Sequence, residues 1–408
     1  IIGIDNYNSE MGQNIADFLV AEEQVRIKVE LSEATVPITR TVHNHLPDAR
    51  SNGGFRLVDH ASPIYGENGT NPDELSGYLA GEMALKNFPD TDGAKASGDI
   101  DPQLIRQRDF MEQLCRRTVR ELWNQGYYQT HRMPDGSPSD VWAPDLNTGA
   151  YIDAMFKELY ELSGDLRFSM ASFTGKSVEH GGIAGRVPAT GEMAAFILPL
   201  LIEHHPVLRA DLYNKPEITY VQQSLGQAGW HMVNGLSRRM PQAQLVGVSE
   251  MEGSLIAATG RTLPVERVLQ ARLAGVSLKE LQGDGLQFTT DTTAIMDRDA
   301  DVLSLAFDKN QVNAANADRS SARLYYPISN GGVDPSAIAP LIARGAVIAP
   351  DFNINAGGSK ASRMETEQAL GATFTEKQFW DRLERELAQI IFRTLSASDR
   401  YKDDTVYG

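Results

Sequence analysis

The sequence predicts an α/β protein of two domains, one of them a doubly wound parallel sheet. Three observations carry that prediction. Short β-branched or aromatic runs alternate with helix-compatible stretches through the second half of the chain, the pattern of strands joined by crossover helices. One such unit, residues 218–239, reads as strand, glycine-containing turn and helix. At 408 residues, with 41% hydrophobic and 23% charged, the chain is also long enough to bury more than one core.

Taken in order, residues 15–23 have helical spacing and 25–31 alternates as a half-buried strand does. Residues 39–45 form a second candidate strand, on which His43 and His45 would share a face. A metal would need a third ligand, and none stands in view; a polar strand face is the reading adopted, and no metal site is expected. Helical spacing returns at 73–86 and 102–125, where the interleaved arginines read as a solvated face. Cys115, the single cysteine, reads as a small apolar residue of the second helix. It excludes an internal disulfide and a multi-cysteine metal site, and fits a reducing cytoplasm. Turn-rich sequence through 129–139 leads to a helix at 151–162. The glycine-rich stretch 174–191 precedes a helix at 192–203, and the domain change is placed there: residues 1–175, then 176–375. Further strands are expected at 301–306, 324–328 and 346–348, with a helix at 335–344. In the tail, 376–408, residues 376–394 have amphipathic spacing.

A net charge of -16 argues against nucleic acid or an anionic membrane surface as partner, because phosphates would be repelled. No apolar run is long enough to span a bilayer and no signal-peptide pattern is present, so a cytoplasmic protein is expected. The chain begins Ile1-Ile2, which is compatible with a further segment before it.

The central unit reads Tyr220-Val221-Gln222-Gln223-Ser224-Leu225-Gly226-Gln227-Ala228-Gly229. In such a turn, Ser224, Gly226, Gln227, Ala228 and Gly229 would bring backbone close to a pyrophosphate seated on the positive end of the following helix. The run 243–249 reads as the next strand and ends at Glu250, about 20 residues on, where a carboxylate can bond an adenosine ribose. Ser224 stands at the first glycine position of G-x-G-x-x-G, so on this motif alone an ordinary glycine-containing turn stays open.

Further motifs follow one order: Gly53-Gly54-Phe55-Arg56, Lys86-Asn87, Gly93-Ala94-Lys95, Ala143-Pro144-Asp145, Thr174-Gly175-Lys176, Gly185-Arg186, Ala189-Thr190-Gly191, the nucleotide unit, Pro350-Asp351-Phe352 and Asn355-Ala356-Gly357-Gly358. From residue 53 to 394 the chain resembles the glutamate, leucine, phenylalanine and valine dehydrogenase family, its glutamate branch most closely. The resemblance implies an N-terminal α/β domain for substrate and oligomerisation, a Rossmann-like dinucleotide-binding domain, a cleft between them, and a C-terminal helix, 376–408, returning to the first domain. It implies reversible oxidative deamination of an L-amino acid to a 2-oxo acid and ammonia, and a homo-oligomer, with hexamers among the family's forms. Lys95 falls on the catalytic lysine and Asp145 on the catalytic aspartate. Such an amine serves as a base only if burial or a nearby cation lowers its pKa from about 10.4. Lys86 matches the lysine that holds the substrate α-carboxylate; Gly54, Arg186 and Ser362 match positions lining the same cleft. Thr190, Asn330 and Asn355 match positions at the nicotinamide end, and Asp301 opens a run resembling the strand beside the adenosine.

Several positions depart from the family. Asn52 stands where the glutamate branch places a lysine for the substrate's side-chain carboxylate, whereas Ser362 matches the serine that helps hold it. The chain from Gly54 to Lys86 is long, that from Lys86 to Lys95 is short, and Ala96-Ser97 push Gly98 one residue late. Leu305 replaces a usual proline. Glu250 favours NAD, since a carboxylate repels a 2′-phosphate, and leaves NADP open. Glutamate is the expected substrate. Asn52 keeps a neutral or polar amino acid as an alternative, and the departures together keep a non-catalytic nucleotide-binding homologue; Lys95 and Asp145 argue against the latter.

Overall fold

The computed structural model describes residues 22–43, 49–59, 71–87 and 91–401. These form two compact units, residues 22–186 with 358–379 and residues 187–357 with 380–401. Residues 15–21 of the expected first helix and His45 lie outside the described residues; 22 and 23 begin a strand.

In the first unit, β1 (Glu22–Glu30), β2 (Thr35–His43), β3 (Ser51–Asp59), β4 (Asp92–Ile100) and β5 (Asp140–Ala143) make one sheet in the order β1-β2-β4-β3-β5. β2 runs antiparallel to both neighbours, while β4, β3 and β5 run parallel. The helix Pro72–Asn87 lies directly on β4. Gly93 permits this approach: a Cβ there would stand 2.2 Å from the Ala80 carbonyl oxygen and the Ala84 nitrogen. The hydrophobic core joins Phe55, Leu57 and Ala96 of the sheet to Met111, Leu114 and Cys115 of Arg108–Asn124 and to Met155 and Leu159 of Ile152–Ser163. Met111, Cys115, Val119 and Leu122 recur at helical spacing, so one stripe of the longer helix is buried. Burial raises the Cys115 thiol pKa and leaves it a small apolar residue. Arg116 and Arg120, read as a solvated face, both pair with the buried Glu158 carboxylate.

In the second unit, β6 (Ile218–Gln223), β7 (Ala243–Glu250), β8 (Gly253–Ala257), β9 (Leu286–Thr289), β10 (Val302–Leu305), β11 (Leu324–Pro327) and β12 (Val347–Ile348) form one sheet in the order β12-β11-β10-β6-β7-β8-β9. From β12 to β7 the strands are parallel, as the alternating pattern predicts. β8 and β9 continue it antiparallel, which the alternation does not foretell. Parallel pairing needs long crossovers, and helices such as Gln227–Arg239 and Pro335–Ala343 supply them. The carboxyl ends of β6 and β7 therefore meet at one edge, the place where such sheets bind ligands. Residues 380–401 of the helix Glu376–Tyr401 group with this unit, where Arg239 pairs with Glu384 at 2.8 Å and Asn353 donates to Thr394 at 2.8 Å. No helix of the described residues is long and apolar enough to cross a membrane.

Candidate active site

Lys95 sits in β4 opposite Thr41 of β2, in pairing that runs unbroken from Ala94 to Gly98, while the pairing with β3 skips Ala94 and Lys95. Successive strand residues alternate faces, so Lys95 shares with Gly93 the face that Pro72–Asn87 covers. Asp145 follows β5, and its Oδ2 pairs with the Lys95 ammonium. Its Oδ1 accepts from Arg56 Nη2 at 3.1 Å, Arg56 Nε at 3.2 Å and the Leu146 N–H at 2.7 Å. Gly54 makes the room: a Cβ there would lie 2.8 Å from the Asp145 Cβ and 2.9 Å from Oδ2. Burial pulls the Lys95 pKa down, Asp145 opposes, and the charges of Arg56 and Lys86 lower it further, to about 8. Burial alone would raise the Asp145 pKa, but Arg56 and Lys95 hold it well below the usual carboxylate range. The cluster is therefore a carboxylate that is ionised at rest beside an amine that changes protonation near neutrality.

Behind this cluster lies a second buried ion pair. Arg40, 1% exposed, gives Nε and Nη2 to the two oxygens of Asp140 at 3.1 and 2.7 Å. Its remaining N–H groups go to the carbonyls of Gly53, Gly54 and Val141 at 3.1–3.2 Å. Asp140 also accepts from the Tyr127 and Ser51 hydroxyls at 2.6 and 2.7 Å. Arg40 thus fixes the carbonyls of Gly53 and of Gly54, the second of which lines the Asp145 carboxylate. Neither Arg40 nor Arg56 is among the sequence candidates: Arg56 stands inside the quoted glycine motif, and Arg40 carries no local signal at all.

Lys86 is buried at the end of Pro72–Asn87, and its charge is felt at Lys95, so the unusual spacing still brings the two together. Asn52 is buried in β3 beside Gly93, and its Oδ1 has no hydrogen-bond partner among the described residues. Arg186 donates to the Ser362 hydroxyl from Nη2 at 2.9 Å and Nε at 3.2 Å, joining two candidates far apart in sequence. Burial lowers the Arg186 pKa, and Glu365 acts the other way. Glu365, one turn beyond Ser362, fixes the helix Gly357–Ala369 by accepting from the Gly175 N–H and the buried Lys176 ammonium, both at 2.7 Å. Lys360 of that helix is buried too, with Nζ 3.4 Å from the Asn87 carbonyl; a cation so enclosed is invisible in a segment that reads as polar.

In the second unit, Ser224 adopts φ 63°, the left-handed region a glycine would take, and its Oγ accepts the Gly226 N–H at 3.0 Å. A Cβ on Gly229 would stand 2.0 Å from the Ser224 carbonyl oxygen, whereas one on Gly226 would meet nothing closer than 3.3 Å. The turn is thus tight inside and open over Gly226, Gln227 and Ala228, where the N-terminus of a 13-residue helix emerges. A pyrophosphate fits that cradle. Thr190 opens the helix Ala189–His204, whose Gly191 abuts the Ala228 carbonyl. Glu250 ends β7, accepts the Leu225 N–H and lies 3.5 Å from the half-exposed Arg272. Asn355 donates to Asn330 at 2.8 Å while its buried Oδ1 has no hydrogen-bond partner among the described residues. Asp301 lies before β10, at the end away from the turn, where it accepts the Thr219 N–H at 2.9 Å; Leu305 is the residue level with Gln223. Among the described residues no group of metal-ligating side chains converges.

Comparison with known proteins agrees with this fold. An NADP-specific glutamate dehydrogenase of Synechocystis is 26% identical over 371 residues, 90% of this chain and 81% of that protein. A glutamate dehydrogenase of Thermotoga maritima is 26% identical over 332 residues, 81% of this chain and 74% of that protein. Among solved structures, the leucine-bound hetero-hexameric glutamate dehydrogenase of Thermus thermophilus superposes with a TM-score of 0.76 at 23% identity, over 97% of this chain and 90% of that one. The sequence profile of the Glutamate/Leucine/Phenylalanine/Valine dehydrogenase family matches residues 181–408, more than half of the chain, and the protein belongs to that family.

Proposed function

We propose that the protein catalyses the reversible oxidative deamination of glutamate to 2-oxoglutarate and ammonia. The observation that supports it most is the buried Lys95 amine, its pKa brought to about 8, against the ionised Asp145. A bound nicotinamide supplies the acceptor for the hydride that leaves the amino acid Cα with its bonding pair. Asp145, as carboxylate, faces the substrate nitrogen and takes its proton, leaving an imine. Neutral Lys95 then removes a proton from water as its oxygen bonds the imine carbon and the C=N pair moves to nitrogen, which takes up a proton; loss of the hydroxyl proton forms the carbonyl as the C–N bond breaks and ammonia leaves. Lys86 and the Gly54 backbone hold the α-carboxylate.

Arg186 supports glutamate over a neutral amino acid. It presents a guanidinium beside the Ser362 hydroxyl, the charge that Asn52 does not provide. Glu250 supports NAD as the preferred dinucleotide. Arg272 beside it favours a second reading, use of both, because an arginine there can meet a 2′-phosphate. The hetero-hexameric assembly of the Thermus thermophilus neighbour supports an oligomer here. The test is reduced-dinucleotide formation by the unmodified protein with a panel of L-amino acids and either dinucleotide. Glutamate with NAD is expected to lead. Turnover of a neutral amino acid instead would assign specificity to Asn52, and silence across the panel would overturn the enzymatic reading.

A further inference from the structure

A second cavity lies in the second unit, at the edge of the sheet opposite the dinucleotide turn. It is an open groove of about 560 Å³ bounded by the starts of β6 and β9, the segment following β8, and Arg298 ahead of β10. The six-residue strand β6 separates it from Ser224 by about 20 Å. Arg261, Arg267 and Arg298 line the groove. Among the described residues none of the three side chains has a hydrogen bond or a carboxylate within ion-pair distance, and the buried Nε of Arg298 has no partner there. Other arginines of this unit are engaged: Arg238 with Glu192, Arg319 with Asp297 and Arg323 with Asp211. In a chain of net charge -16, this groove gathers three guanidinium groups that no carboxylate of the described residues pairs. A buried guanidinium N–H left unpaired is costly, and planar forks of this kind match carboxylate or phosphate oxygens in pairs. Glu217 and Asp284 share the lining, so the cations outnumber the anions three to two.

We propose that this groove binds a small anion carrying two or more phosphate or carboxylate groups, at a site separate from the dinucleotide turn. Its volume lies in the range of small-molecule sites.

The test is calorimetric titration of the full chain with pyrophosphate and, separately, with citrate. The same titrations are run on Arg267→Gln, Arg298→Gln and the triple variant with Arg261→Gln, each checked for parental melting behaviour. Saturable binding of one probe is expected, weakened about tenfold or more in each single variant and lost in the triple. The probe that binds identifies the ligand's anionic group. Asp284→Asn is expected to tighten it; asparagine tolerates the φ of 51° found there. No saturable binding of either probe at millimolar concentration would overturn the proposal. So would equal binding by parent and triple variant, which would place the anion at the dinucleotide turn instead.

Discussion

Two aspartates flank the same short strand, the buried Asp140 at the start of β5 and the half-buried Asp145 just beyond its end, and each faces a buried cation. Asp140 is saturated by Arg40, Tyr127 and Ser51, and Arg40 has no spare donor. An arginine does not deprotonate in this setting, so that pair holds shape. Asp145 has Arg56 and a backbone N–H on one oxygen and leaves the other to Lys95, whose burial lowers its pKa to about 8. One pair keeps its charge state and fixes the glycines; the other has a cation that can give up its proton. The difference lies in which cation each aspartate meets.

The largest effect that would sharpen this contrast is at Lys95. Lys95→Met is expected to lower turnover about 10²- to 10⁴-fold. Dinucleotide binding, followed by fluorescence, should persist, and stability should change little because Asp145 keeps Arg56. Retained turnover would break the comparison outright. The structural pair should answer in the opposite way. Arg40→Met strands a buried carboxylate and is expected to cost about 3–5 kcal/mol in urea unfolding, most of it recovered in Arg40→Met/Asp140→Leu. A smaller, purely specific effect is expected at Arg186. Arg186→Gln should raise the KM for glutamate about 10- to 100-fold with little change in kcat, the loss of a hydrogen bond to a charged group. An unchanged KM would move the side-chain carboxylate elsewhere. Smallest is Glu250→Ser, expected to raise NADP use relative to NAD by about tenfold, near 1.4 kcal/mol; no shift in the ratio would remove Glu250 from cofactor selection.

The parallel sheet of the second unit was legible because its strands are β-branched or aromatic runs, such as Ile218–Gln223, separated by helical spacing. β3 and β4 were not. Asn52-Gly53-Gly54 and Gly93-Ala94-Lys95-Ala96-Ser97-Gly98 are poor strand formers, and only pairing on both sides and the close helix over Gly93 make them strands. β8 and β9 escaped because a long insertion parts them. The candidates Lys95, Asp145 and Lys86 could be picked out by motif order, and the structure brings them together. Arg56 could have been found in the same way, since it closes a quoted motif. Arg40 and the contact of Arg186 with Ser362 depend on pairing between distant segments, which no local period encodes. Ser224 was readable as a departure, but its left-handed backbone, which restores the turn, was not.

The central claim is that Lys95 titrates in the working range because it is buried among Arg56 and Lys86 despite Asp145. Only the neutral amine can take a proton from water, so kcat/KM for deamination should rise with pH through an apparent pKa of about 8. Removing a cation that lowers it, in Arg56→Gln, should move that limb to higher pH. The pH profile of kcat/KM for the parent and Arg56→Gln measures both. A parent limb near 8 that moves upward in the variant is the predicted result; a limb that does not move, or one near the ordinary lysine value of about 10.4, would contradict it.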